Sequence, residues 1–153
     1  MNLLEQLARR GLSLPPPPAA VGNFVGARRV GNLVFVSGQL PVSDGKPVTT
    51  GRVGSTVSLE DARDAAELAA LNVLAQAIAV VGSTEALCGV VRVGGFVQSE
   101  ADFFDVAKVV NGASDLFVAL FGDAGRHARA AIGVYTLPAN VPVEIEAVFE
   151  CRP

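Results

Sequence analysis

Two spacings of apolar residues run along this chain, and the stretch over which each holds predicts an element. Leu3, Leu4 and Leu7 share one side of a short N-terminal helix, and Gly11 stops it. Pro15, Pro16, Pro17 and Pro18 follow as a stiff extended connector. That connector is too short to separate domains. Residues 1–18 are therefore expected to be a helical arm and proline connector on one core that spans residues 19–153.

Leu33, Val34, Phe35 and Val36 are opened by Gly31-Asn32 and closed by Ser37-Gly38, and they read as a strand buried on both faces. Residues 42–50 hold Ser43, Asp44, Gly45 and Pro47 and predict a turn or loop. Ser58 followed by Glu60 and Asp61 reads as a helix start. That helix is expected to run to about Val81, with Gly82 ending it and Ala62, Ala65, Ala66, Ala69, Leu71, Val73 and Leu74 on a small-residue face suited to close packing. The β-branched, glycine-spotted residues 88–97 predict a strand. Ser99 to Asp102 repeats the cap pattern, so a second helix is expected over about 101–121, interrupted or kinked at Asn111-Gly112. Two last strands are predicted at about 128–137 and 141–151, with the turn at 138–140. The order implies an α+β layer, with helices on one face of a mixed sheet.

The last two strands carry the most chemistry. Read as a hairpin folded about Asn140, they place Tyr135 opposite Glu144 and Arg129 opposite Glu150. Ala130, Ile132, Val134, Val143, Ile145, Ala147 and Phe149 would face the helices. Arg129, Tyr135, Glu144, Glu146 and Glu150 would share the other face with Gly133, Ala131 and Val148. Such a face is either a solvated sheet surface dressed with ion pairs, or a subunit interface whose few charges hold a ligand. Arg92, inside a run of valines, is read as a structural partner for a glutamate.

Charge and composition narrow the classes. Half of the 153 residues are hydrophobic, enough for a compact core, and the net charge is −3. An acidic chain lacks the basic stripe that nucleic acid demands, and it offers no basic patch for an anionic membrane. No basic-then-apolar leader opens the chain, and the apolar runs read as too short to span a bilayer. A cytoplasmic protein is expected. Cys88 and Cys151 match no metal or redox spacing and are expected to be small buried residues.

Residues 30–41, VGNLVFVSGQLP, resemble the first signature of the RidA/YjgF family. Ala128-Arg129-Ala130-Ala131, continuing through Leu137-Pro138 to Val143-Glu144-Ile145-Glu146-Ala147, resembles its closing signature. The resemblance covers about residue 19 to the end; Val110 to Leu116 resembles one subgroup. It implies a chorismate-mutase-like fold with two main helices on one face of the sheet. It also implies a homotrimer with sheets inside, helices outside and ligand sites between neighbouring subunits. The implied activity is hydrolysis of reactive enamine and imine acids to 2-oxo acids and ammonia, with no metal or organic cofactor. By the same resemblance Arg129 grips the substrate carboxylate through two parallel hydrogen bonds. Glu144 handles the attacking water, and Ser37 and the Gly38 N–H line the pocket. Two positions depart from the family. Phe24 stands where a tyrosine is common, and Ala131 where a cysteine is. Both changes make the pocket larger and more apolar, which suits a bulkier imine acid than 2-aminoacrylate.

A noncatalytic binder of small carboxylates or metabolites in the same cleft is the alternative. The endoribonuclease label carried by some relatives fits poorly with the acidic charge, the single tyrosine and the single histidine. That histidine, His127, is read as structural, with a place at the site rim as the other option. Ser114-Asp115 is read as a local cap, and Gly94-Gly95 as room for close backbone packing.

Overall fold

The computed structural model describes all 153 residues. The elements are α1 (Leu3–Arg9), β1 (Ala27–Val30), β2 (Leu33–Gln39), a two-residue ladder of β3 (Val42–Ser43) and β4 (Lys46–Pro47), then α2 (Leu59–Val81). β5 (Leu87–Gln98), α3 (Val106–Phe121), β6 (Ala128–Val134) and β7 (Val143–Cys151) follow. The five-stranded sheet has the order β1-β2-β7-β5-β6. The β5–β6 pair is parallel and every other pair is antiparallel. α2 and α3 cover one face of this mixed sheet, and the other face is open.

α2 begins and ends as its sequence dictates. The Ser58 hydroxyl accepts the Asp61 N–H at 3.1 Å, which satisfies one of the donors a helix start leaves free. Gly82 closes the helix in the left-handed region at φ 86°. The alanine-rich face lies buried between the sheet and α3. At 23 residues, with an 18-residue stretch of mean hydropathy 1.5, α2 is long and apolar enough to cross a membrane, contrary to the reading of its runs as too short. Its apolar side chains are instead spent on the protein core, with Glu60, Asp61, Arg63, Asp64 and Glu67 crowding its first three turns.

α3 departs from expectation at both features predicted for it. It starts at Val106, because residues 99–105 form a bridge to Val53 and a turn. It runs through Asn111-Gly112 without a break. Gly112 is there for contact: a Cβ at this position would overlap the carbonyl oxygen of Arg63, so α2 and α3 touch backbone to backbone. Gly95 serves the same end against Val110, and a side chain on Gly94 would strike Glu146.

The predicted hairpin does not form. β5, α3 and β6 make a strand–helix–strand crossover, which a parallel pair requires, and β5 therefore lies between β6 and β7. Arg129, Ala131 and Gly133 pair with Val93, Gly95 and Val97, which in turn pair with the buried Ala147, Ile145 and Val143. They face the helices. Ala130 and Ile132 sit in the rows of Glu146 and Glu144 on the open face. The facing assigned to β6 is thus reversed, and that assigned to β7 holds. β2 is not buried on both faces either: Val34 and Val36 are buried, while Phe35 is 46% exposed on the open face. Cys151 is buried, but Cys88 is exposed. In the arm, Leu3 and Leu7 are buried against the core.

Candidate functional site

Ser37, Gly38 and Glu144 come together where β2 loses register with β7. The ladder shifts between Val36 and Gln39, and Ser37-Gly38 forms the irregularity. The Ser37 hydroxyl donates to the Val25 carbonyl at 2.7 Å, and its N–H donates to the Gly26 carbonyl at 2.9 Å. The segment before β1 is thereby stitched to the bulge. A Cβ on Gly38 would stand 2.9 Å from Glu144 Cδ, so the absent side chain is what lets the carboxyl lie across this backbone. Burial raises the Glu144 pKa above the ordinary carboxylate value, and neighbouring Glu146 raises it further. No cation offsets this, because Arg92 pairs with Glu146, Nη1 to Oε1 at 3.8 Å. Glu144 is a half-buried carboxyl with enhanced proton affinity and no ion partner.

Arg129 lies elsewhere. It is held against α3, with Nη1 donating to Asn111 Oδ1 at 2.7 Å and to Ser114 Oγ at 3.1 Å, and Nη2 donating to the Ala107 carbonyl at 3.5 Å. All three acceptors are neutral, and the guanidinium forms no ion pair. Ala131 is two residues further along the same face of β6. β6 and β7 are two strand spacings apart, roughly 9–10 Å, and Arg129 and Glu144 point to opposite sides of the sheet. They do not face one cavity. Phe24 precedes β1, is 54% exposed and lies against Gly22.

The surface has four concavities, two of them minor. One of about 580 Å³ runs along the free edge of β6, lined by Arg52, Phe103, Phe104 and Tyr135, and contains none of Ser37, Gly38, Arg129, Ala131 and Glu144. One of about 320 Å³ lies on the open face and includes Ser37, Phe35, Arg28 and Arg92. On the open face, Val30 on β1, Phe35 on β2 and Ile132 on β6 are each about half exposed. No three His, Cys, Asp or Glu residues gather as metal ligands would.

Sequence reasoning missed the support around Arg129. Ser114 is no cap: its hydroxyl lies 2.9 Å from His127 Nε2 as well as 3.1 Å from Arg129. Asn111, assigned to a helix break, is a direct acceptor for the guanidinium. The available signal was the helical spacing of Asn111 and Ser114, three apart and therefore on one face.

A sequence model of the family described as "YjgF/chorismate mutase-like, putative endoribonuclease" matches residues 5–148. The chain is 39% identical to Protein TCP17 of Trypanosoma cruzi, an alignment covering 97% of this chain and 94% of that protein. It is 30% identical to the 2-iminobutanoate/2-iminopropanoate deaminase of Dermatophagoides farinae over 92% of this chain and 94% of that one. Among solved structures, the Agrobacterium tumefaciens protein Atu1372, of unknown function, superimposes with a TM-score of 0.92 at 41% identity, covering 99% of this chain and 94% of the other.

Proposed function

The chain belongs to the YjgF/chorismate mutase-like family, and from that premise we propose that it hydrolyses reactive imine or enamine acids to 2-oxo acids and ammonia. The observation that carries the reading is the pair of unsatisfied charges. Glu144 lies over Gly38 with raised proton affinity and no cation beside it. Arg129 presents a guanidinium that only neutral groups hold. A carboxylate substrate supplies the missing anion for Arg129, and a water at an electrophilic carbon supplies the proton for Glu144. The relative named as a 2-iminobutanoate/2-iminopropanoate deaminase supports this choice of substrate class.

The reaction needs both charges at one substrate, so the site is completed by a second copy, with Arg129 of one protomer facing Ser37, Gly38 and Glu144 of its neighbour. A homotrimer burying the open sheet faces would cover Val30, Phe35 and Ile132. In that cleft the arginine binds the carboxylate in a bidentate fork. Glu144 takes a proton from water as its oxygen adds to the imine carbon. The same carboxyl returns that proton to nitrogen to give the carbinolamine, then relays the new hydroxyl's proton to nitrogen as the C–N bond breaks, releasing ammonia and leaving the carbonyl. An enamine first takes a proton on its β-carbon and gives one up from nitrogen, and so becomes an imine. Ser37 and the Gly38 N–H line the pocket during this step. Phe24 and Ala131 leave it without a phenol or a thiol, which favours a bulkier, more apolar imine acid.

The test is ammonia release from imino acids generated in situ by an amino-acid oxidase, with light scattering on the same samples. Wild type is expected to accelerate release as a trimer. Arg129→Ala and Glu144→Gln are expected to lose about 10²-fold or more with the trimer intact. Because burial raises the Glu144 pKa, the acid limb of the rate profile should lie above the ordinary carboxylate range. A monomer at micromolar concentration refutes the shared site. No acceleration across small and bulky imino acids would leave a noncatalytic carboxylate-binding cleft.

A further inference from the structure

The chain's one histidine sits at the end of a hydrogen-bonded line that terminates on Arg129, and each link in that line has only one chemically allowed direction. The Gly125 carbonyl, 2.6 Å from His127 Nδ1, is an acceptor only, so Nδ1 carries the proton. In a neutral ring Nε2 is then the acceptor. It takes the Ser114 hydroxyl proton at 2.9 Å. Ser114 Oγ is left with its lone pairs, and Arg129 Nη1, a donor only, fills one of them at 3.1 Å. The ring is steadied by an edge-to-face contact with the buried Phe117, centroids 6.2 Å apart.

We infer that Ser114 and His127 are positioning residues that hold the Arg129 guanidinium where a carboxylate meets it. The inference rests on the carboxylate reading of Arg129 given above. The line works only with a neutral imidazole. A protonated ring would turn Nε2 into a donor, force the Ser114 hydroxyl to find another acceptor, and set a second cation beside the guanidinium. Burial lowers the His127 pKa, and the Arg129 charge lowers it further, against the Gly125 carbonyl, which raises it. No carboxylate competes for this ring. On α3, Asp115 is paired with Arg63 of α2. In the turn before β6, Asp123 is paired with Arg126. On β5, Arg92 is engaged with Glu146 on the opposite face of the sheet. Arg129 is the one charge that acts on the ring.

A single histidine makes the imidazole nitrogen spectrum of the intact protein a one-residue probe. The measurement is ¹⁵N imidazole NMR across a pH titration, with and without pyruvate as the carboxylate probe. The expected result is the Nδ1–H tautomer at neutral pH and an upward shift of the His127 titration when pyruvate neutralises Arg129. Arg129→Gln should raise the titration without pyruvate and abolish the response to it. Ser114→Ala should weaken pyruvate binding about 10-fold or more, as loss of one hydrogen bond to a charged group predicts, and Ser114→Thr, which keeps the hydroxyl, should restore it to within about twofold. The Nε2–H tautomer, a titration unchanged by Arg129→Gln, or wild-type pyruvate binding by Ser114→Ala would each overturn the inference. A His127 titration that moves in Arg129→Gln while pyruvate has no effect on wild type would refute the carboxylate reading of Arg129 and leave the hydrogen-bonded line in place.

Discussion

Replacing Gly112 with alanine sets two known effects against each other, and the structure decides the sign. In an isolated helix the change is favourable by about 1 kcal/mol, because glycine loses more backbone freedom than alanine on folding. Gly112 is the seventh residue of α3, far from either end, so this gain applies in full. Against it stands the contact with α2. The new methyl would overlap the Arg63 carbonyl oxygen, with the carbonyl carbon only 3.0 Å away. A methyl group needs about 3.5 Å from such atoms, so the helices must part by roughly an ångström. Both partners are backbone in long, regular helices, and no flexible side-chain end is there to yield. Overpacking of this kind costs about 1–3 kcal/mol, at times more. Parting the helices also loosens the contacts of Ala62, Ala66, Val109 and Ala113, all buried in the same core. Because the clash is with backbone that cannot yield, the cost falls in the upper part of that range, and the expected net effect is destabilisation by about 1–2 kcal/mol. For a chain of this size that lowers Tm by roughly 2–8 °C. Urea unfolding at matched protein concentration reads it, with Arg63→Ala as the control. The Arg63–Asp115 pair is exposed, so its loss should cost under about 1 kcal/mol and cannot account for the larger change. A Gly112→Ala protein as stable as wild type, or more stable, would show that the helices do not meet through their backbones.

Gly38→Ala should separate stability from chemistry. The new Cβ meets the flexible end of Glu144, 2.9 Å from Cδ, so the fold should lose under about 1 kcal/mol while the displaced carboxyl costs about 10–100-fold in imine hydrolysis. Ammonia release beside urea unfolding reads both, and full activity would remove Glu144 from the reaction. His127 should give stability a measurable pH slope. Its folded pKa is depressed, so the folded state binds fewer protons than the unfolded chain. Stability should be full above about pH 6.5, the unfolded histidine value, and should fall as pH drops toward the folded pKa. Unfolding of His127→Phe over the same range should show that slope flattened.

How much of this was legible in the sequence depends on which element is asked. α2 is written almost completely in local terms. Ser58 accepts the Asp61 N–H, Gly82 takes the left-handed cap, and a face of small residues is needed for close packing. β7 is equally plain, because Val143, Ile145, Ala147 and Phe149 alternate with glutamates and only one arrangement buries the apolar set. Ser37, Gly38 and Glu144 were named from the sequence, and the bulge brings them together.

β6 is where local pattern falls short. Ala130, Ile132 and Val134 are apolar, but Arg129, Ala131 and Gly133 include two small residues that pack equally well, so alternation leaves the facing open. Pairing decides it. A strand returning from α3 lies parallel to β5, and β5 in turn separates it from β7. Arg129 is consequently turned toward α3 and away from Glu144. The line from His127 through Ser114 to Arg129 is tertiary for the same reason. Helix spacing puts Asn111 and Ser114 on one face of α3, but only the packing of α3 beside β6 brings that face against Arg129 and His127. Short-range periodicity and capping thus determined the elements and the core side of most of them. Which edge each strand occupies, and so which charges share a face, depends on contacts between residues far apart in the chain, and those exist only once the sheet has formed.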